Sequence, residues 1–243
     1  MKIFRKIREQ MLKKNKVSSY LLYALGEILL VMIGILLALQ VNNWNQKRGK
    51  QRQLDSILRT VSFDLATDTI AANQVIDYYE KNHENSLRII NKEISMDNYT
   101  ECPSCPSLVT IYKPMPIQKK GFELLKNFSN QESIQNDTLV TNISQFYTSL
   151  ITLIEDSNAF VKNEVLKNLN GFKDFDWFVK WTQGDYDQDM IQYFAESEDY
   201  RKRVAAHNVL AAQNHLRFVQ VYKTNAVEVL KRIDERLNKT ASE

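Results

Sequence analysis

Glycine and proline are scarce in this chain, six and four in 243 residues, and all four prolines fall between residues 103 and 116. Many-stranded β folds draw on both residues for their turns, so the scarcity argues against them and for long helices. No glycine-rich loop is left to cradle a phosphate. Histidine is confined to His83, His207 and His215, without metal-ligand spacing, and no second cysteine pair joins Cys102 and Cys105 to complete a zinc site. No nucleophile–base pattern or zinc-protease motif is recognisable. The chain is therefore expected to be no enzyme, with no catalytic residue, cofactor or metal.

What is present is unevenly placed. The formal net charge is +3, yet residues 1–19 hold seven Lys/Arg against Glu9 alone, and residues 42–53 hold Lys47, Arg48, Lys50 and Arg52 with no acid. Residues 54–243 are left with 21 basic and 27 acidic residues. Basicity that flanks one segment is not the footprint of a nucleic-acid-binding surface, which would lie on the folded domain.

Between those basic flanks runs "YLLYALGEILLVMIGILLALQV", residues 20–41, in which Glu27 is the only ionisable group besides two tyrosines. Twenty-two residues make about 33 Å of helix, enough to cross a hydrocarbon core of about 30 Å. Tyr20, Tyr23 and Trp44 stand where aromatic belts are expected. The apolar run is too long for a signal-peptide core and lacks small residues before a cut, which favours an uncleaved anchor. The larger basic cluster at the start predicts a cytoplasmic N-terminus. The segment "MKIFRKIREQML" adds an apolar face of Ile3, Phe4, Ile7 and Met11, as in a helix lying on an anionic leaflet; a plain basic tail is the alternative. The expected organisation is a cytoplasmic segment 1–19, a transmembrane helix 20–41 and a periplasmic helical domain 42–243.

Glu27 falls on a heptad stripe with Ala24, Val31, Gly34 and Ala38, where Gly34 and Ala38 form a small-xxx-small pair that admits a second backbone. Three roles stay open for it: a contact in an oligomer or with a partner helix, a carboxylate snorkelling to the headgroups about 10 Å away, or part of an ion path. The lipid bilayer, a second copy or another membrane protein are the partners this predicts.

After the span, Leu54, Leu58, Val61, Leu65, Ala72, Ile76, Tyr79, Leu87 and Ile90 recur at helical steps and predict one long amphipathic helix. The prolines mark a loop at 97–118, with a short extended piece at "LVTIY". A short helix follows near 121–130. A long one is expected over 137–170, burying Leu139, Ile143, Phe146, Leu150, Leu153, Ile154, Val161 and Val165, with Gly171 as its C-cap. Another short helix is predicted near 189–196. The last, about 198–238, uses Val204, Leu210, Leu216, Val219, Tyr222, Val227, Leu230 and Ile233. The fold class is all-α: a transmembrane helix followed by an elongated antiparallel helical-bundle ectodomain.

"FRKIR" followed by "SSYLLYALGEILLVMIGILLALQVNNWN" resembles an uncharacterised family of single-span membrane proteins from Bacteroidota. The likeness is specific over residues 1–46 and looser through "GFELLKNFSNQESIQNDTLVTNISQFY". It implies a Gram-negative inner membrane and a periplasmic helical domain, and no activity.

Three further features lie outside that resemblance. Cys102 and Cys105 form "CPSC", read first as a local disulfide in an oxidising compartment, with thiol exchange, metal binding and free thiols as alternatives. Asp185, Asp187, Asp189 and Glu196 match four positions of a calcium loop, but Met190 stands where the sharp turn needs glycine, so an aspartate N-cap is the better account. Phe172, Phe175, Trp177, Phe178 and Trp181 could line a pocket or partner surface, though such clusters mostly cap the end of a bundle core.

The function expected from all this is a membrane-anchored scaffold or interaction protein of the cell envelope, associating through its span. The alternatives are a periplasmic sensory or ligand-binding module signalling through a partner chain, and a small channel-like oligomer using Glu27.

Overall fold

The computed structural model describes residues 17–129 and 137–242. The "MKIFRKIREQML" segment lies outside them. Helix α1 spans Val17–Ile90, α2 Lys120–Ser129, α3 Thr138–Phe172, α4 Phe178–Gln183, α5 Gln188–Glu196, α6 Glu198–Asn208 and α7 Leu216–Ser242. A π-helical segment, Val209–His215, lies between α6 and α7. Two 3-10 turns, Tyr99–Glu101 and Cys105–Ser107, sit in the long connection after α1. No strand occurs among the described residues, so the class is all-α, as the scarcity of turn residues predicts. The short extended piece expected at "LVTIY" is instead a turn running into irregular chain.

The chain divides into two units, Met1–Leu54 and Asp55–Glu243. In the first, the helix is apolar and exposed over most of residues 21–41. Its most apolar 18-residue stretch has mean hydropathy 2.5 and no buried residue. By length and composition it can cross a membrane.

The second unit has a core of its own. Helix α7 runs antiparallel to α1: Tyr222 meets Asp68, His215 packs edge-on against Tyr79, and Asn208, at the end of α6, meets His83. It is antiparallel to α3 as well, through Phe146 with Tyr222 and Ser157 with His215. Helices α1 and α3 are parallel, because residues 108–119 return along them as irregular chain. Asn82 donates to the Leu108 carbonyl, the Tyr79 hydroxyl accepts from the Lys113 amide, and Asp68 accepts from the Gln118 amide. Asn158 on α3 holds the same strip through both backbone groups of Met115, at 2.9 Å each. This strip has no ladder to satisfy its polar groups, so side chains of the helices do so.

Several local starts and stops follow from side-chain chemistry. Asp137 caps α3 by accepting from the Leu139 and Val140 amides. Helix α1 ends in a Schellman pattern: the Glu93 amide reaches the Arg88 carbonyl, the Lys92 amide the Ile89 carbonyl, and Lys92 has φ 61°. Gly171 does not end α3, as expected from sequence, but lies inside it. The Arg203 guanidinium occupies the space where a Cβ would stand, and lies 5.8 Å over the Phe172 ring.

Candidate functional site

Three places in the molecule concentrate chemistry. The first is the predicted stripe on the apolar part of α1. Ala24, Glu27 and Val31 share one face with Ile28, Met32 and Ile35, around a shallow depression of about 390 Å³. Gly34 and Ala38 continue the stripe beyond it. A Cβ built on Gly34 would meet nothing within 4 Å among the described residues. Beyond the stripe, Trp44 stacks beneath Arg48, whose guanidinium lies 5.3 Å from its ring centre.

The second place is one end of the bundle. Cys102 and Cys105 are joined in a disulfide with their Cα atoms 5.3 Å apart, buried among Ile89, Ile94, Leu108, Phe172, Phe194 and Tyr200. The loop carrying them is pinned on several sides. The Tyr200 hydroxyl donates to the Cys105 carbonyl, Trp181 Nε1 to the Pro106 carbonyl at 3.2 Å, and Asn85 Nδ2 to the Ser104 hydroxyl at 2.9 Å, while Arg88 pairs with Glu101. Both sulfurs are out of solvent, so an exchanging thiolate has no line of attack while the bundle stays closed. The five aromatics proposed for a pocket or surface meet here. Phe172 and Trp177 are buried, and Phe175, Phe178 and Trp181 pack partly buried against them. Phe172 alone has edge-on contacts with Phe175, Trp177, Trp181, Tyr193 and Phe194. Together the rings fill this end of the core. The aspartate-rich loop resolves as an N-cap: the Asp187 carboxylate accepts from the Met190 amide and pairs with Lys180 at 2.9 Å.

The third place is a line of polar groups through the bundle core, which a count of apolar residues passes over. Asp64 and Asp68 lie one turn apart on the buried face of α1, beside Val61 and Leu65. They cap α2 from outside it. Asp64 accepts from the Gly121 amide at 2.6 Å, and Asp68 from the Gln118 amide at 3.0 Å. Gly121 permits the approach, since a Cβ there would lie 2.6 Å from the Val61 amide nitrogen. The Tyr222 hydroxyl donates to Asp68 at 2.5 Å. Burial, with a smaller push from Asp64, raises the Asp68 carboxyl to about 6, against the opposing pull of its hydrogen bonds. The Tyr147 hydroxyl, fully buried nearby, has no hydrogen-bond partner among the described residues. An acidic residue at helical spacing inside an apolar stripe is the same anomaly that marks Glu27, and that signal was available at Asp64 and Asp68.

Farther along the line, Ser157 and His215 stand 2.8 Å apart, Oγ to Nδ1. The pair has the look of a nucleophile and its base, but both groups are buried. The Ser157 hydroxyl is also within reach of the Ile154 carbonyl one turn back on α3, which competes with the ring for its proton. His207 is buried with neither ring nitrogen bonded among the described residues. Burial holds both His207 and His215 down to about 4, neutral at pH 7. Among the described residues no three His, Cys, Asp or Glu side chains gather as a metal would need.

The described residues are thus all-α, with one helix long and apolar enough to cross a membrane. A family described as a family of unknown function, DUF6090, matches residues 27–103, from Glu27 through the rest of α1 to the first residues of the disulfide loop. No curated protein and no solved structure matches the chain.

Proposed function

We propose that this protein is a membrane-anchored, non-enzymatic scaffold or interaction protein of a bacterial envelope, which associates with a second copy or another membrane protein through the 20–41 span. One observation carries the reading: α1 turns an apolar surface outward over residues 21–41, broken by Glu27 on the stripe of Ala24, Val31, Gly34 and Ala38. Lipid covers most such a surface, while a carboxylate at that depth is stabilised by a protein neighbour. The seven basic residues of the first nineteen favour a cytoplasmic N-terminus and a periplasmic bundle in the inner membrane. Trp44 and Arg48 suit the outer interface of such a span.

Subunit counting tests this. Full-length protein is extracted with its own lipids into polymer nanodiscs and its mass distribution measured. The wild type is expected as dimers or higher species, and Gly34→Ile as mostly monomer. A wild type found only as single copies without a partner chain overturns the proposal.

A further inference from the structure

We propose that the bundle also holds a binding site for a small primary ammonium compound, in the cavity between α3 and the π-helical segment. The cavity measures about 290 Å³. Its α3 wall presents Leu153, Asp156 and Phe160, with Ser157 at its base. Those positions, three, four and seven apart, fall on one helical face. The opposite wall is Leu210, Asn214 and Phe218. Side chains spaced four apart drift round an α-helix of 3.6 residues per turn. The wider turns of the π segment, Val209–His215, counter that drift and keep the three in line against α3.

The chemistry of the walls selects the ligand. Asp156 is the only charged side chain lining the cavity. The buried Ser157 hydroxyl is already engaged by the Ile154 carbonyl and by His215 Nδ1. The Asp156 carboxylate and the Asn214 carbonyl oxygen accept hydrogen bonds, and the two phenylalanines lining the cavity add rings of the kind that attract a cation. Leu153 and Leu210 complete an apolar lining for a short hydrocarbon body. A volume at the small end of ligand sites excludes nucleotides and larger cofactors. A compact alkylammonium meets all four conditions: size, charge, donors and an apolar tail. An anion would be repelled by Asp156.

Association through the span does not enter this argument, and failure of either proposal leaves the other standing. The test uses full-length protein in lipid nanodiscs and ligand-observed saturation-transfer NMR with n-butylammonium, with n-butanol as its uncharged counterpart. Empty nanodiscs are the blank. Saturable binding of n-butylammonium, at least tenfold tighter than n-butanol, is expected. Asp156→Asn should weaken it by about tenfold through loss of a charge-assisted contact, and Phe160→Leu by several-fold. Both side chains are exposed, so the variants are expected to fold, and their helical circular dichroism checks it. Equal binding of the two probes, no binding of either above the blank, or an ammonium signal untouched in both variants would each overturn the site.

Discussion

Glu27 and Asp68 are carboxylates on one helix in opposite circumstances. Around Glu27 the side chains of α1 are apolar and face outward; around Asp68 they are apolar and face a core. Asp68 is supplied by its own chain: the Tyr222 hydroxyl, the Gln118 amide and the N-terminal end of α2 all converge on it and on Asp64. Those groups let a buried acid exist at all, since its hydrogen-bonding capacity is met where water is excluded. Along the span, nearly every described side chain is an exposed aliphatic one. One acid belongs to folding, and the other, on the reading proposed above, belongs to assembly.

Substitution should separate the two most sharply. Asp68→Ala leaves the buried Tyr222 hydroxyl and the part-buried Gln118 amide without their acceptor. Each unsatisfied donor costs about 1–3 kcal/mol, so a loss of about 3 kcal/mol is expected in urea unfolding followed by circular dichroism. Glu27→Leu should leave that unfolding curve in place and change only the subunit count. A Glu27→Leu protein that unfolds as readily as Asp68→Ala would erase the distinction.

Titration sharpens the contrast inside the bundle, because its buried groups pull in opposite directions. His207 and His215 fall to about 4 from an ordinary 6.5, so the folded state favours their neutral form. Their contribution is complete above about pH 6.5 and is lost as pH falls through 4. Asp68 rises to about 6 from 3.8, so its contribution is complete below about pH 3.8 and is lost as pH rises through 6. Each shift corresponds to roughly 3 kcal/mol, and two histidines outweigh one aspartate. The net expectation is a loss of about 3 kcal/mol between pH 7 and pH 4. Asp68→Asn removes the opposing slope and should steepen that fall in the same unfolding assay.

A smaller effect is expected where covalent chemistry holds the bundle end. Closing the short loop between Cys102 and Cys105 contributes about 2 kcal/mol by restricting the unfolded chain. Serine at both positions should lower stability by about that amount, and mild reductant should leave the folded wild type oxidised, because both sulfurs are buried. Rapid thiol labelling of the folded protein under mild reductant would refute the closed arrangement.

The two regions also differ in how far the sequence discloses them. The span is an unbroken apolar run, and its stripe follows from heptad counting. Capping chemistry in the aspartate-rich loop, at Asp187, was equally legible, because a carboxylate before an apolar repeat has few other uses. The bundle core was only half legible. Apolar periodicity placed Leu87, Leu153 and Val227 inward, yet all three are exposed. The true stripe passes through Asn82, Ser86, Ser157, Asn168, His207 and Asn208, which a count of apolar residues skips. The π segment adds a second displacement, since a helix that changes its turn width changes which residues share a face. The parallel course of α1 and α3 was hidden too, because it depends on side-chain bonds from Tyr79, Asn82 and Asn158 to the returning strip.

Oxidative cross-linking along the span tests the central claim most directly. Single cysteines are placed in turn at residues 24 to 38 of the full-length protein in native membranes, the native pair being already bonded to itself. Association through the stripe predicts strong dimer bands at Ala24, Glu27, Val31, Gly34 and Ala38 and weak ones at the positions between. Uniformly weak bands, or strong ones with no helical period, would contradict it.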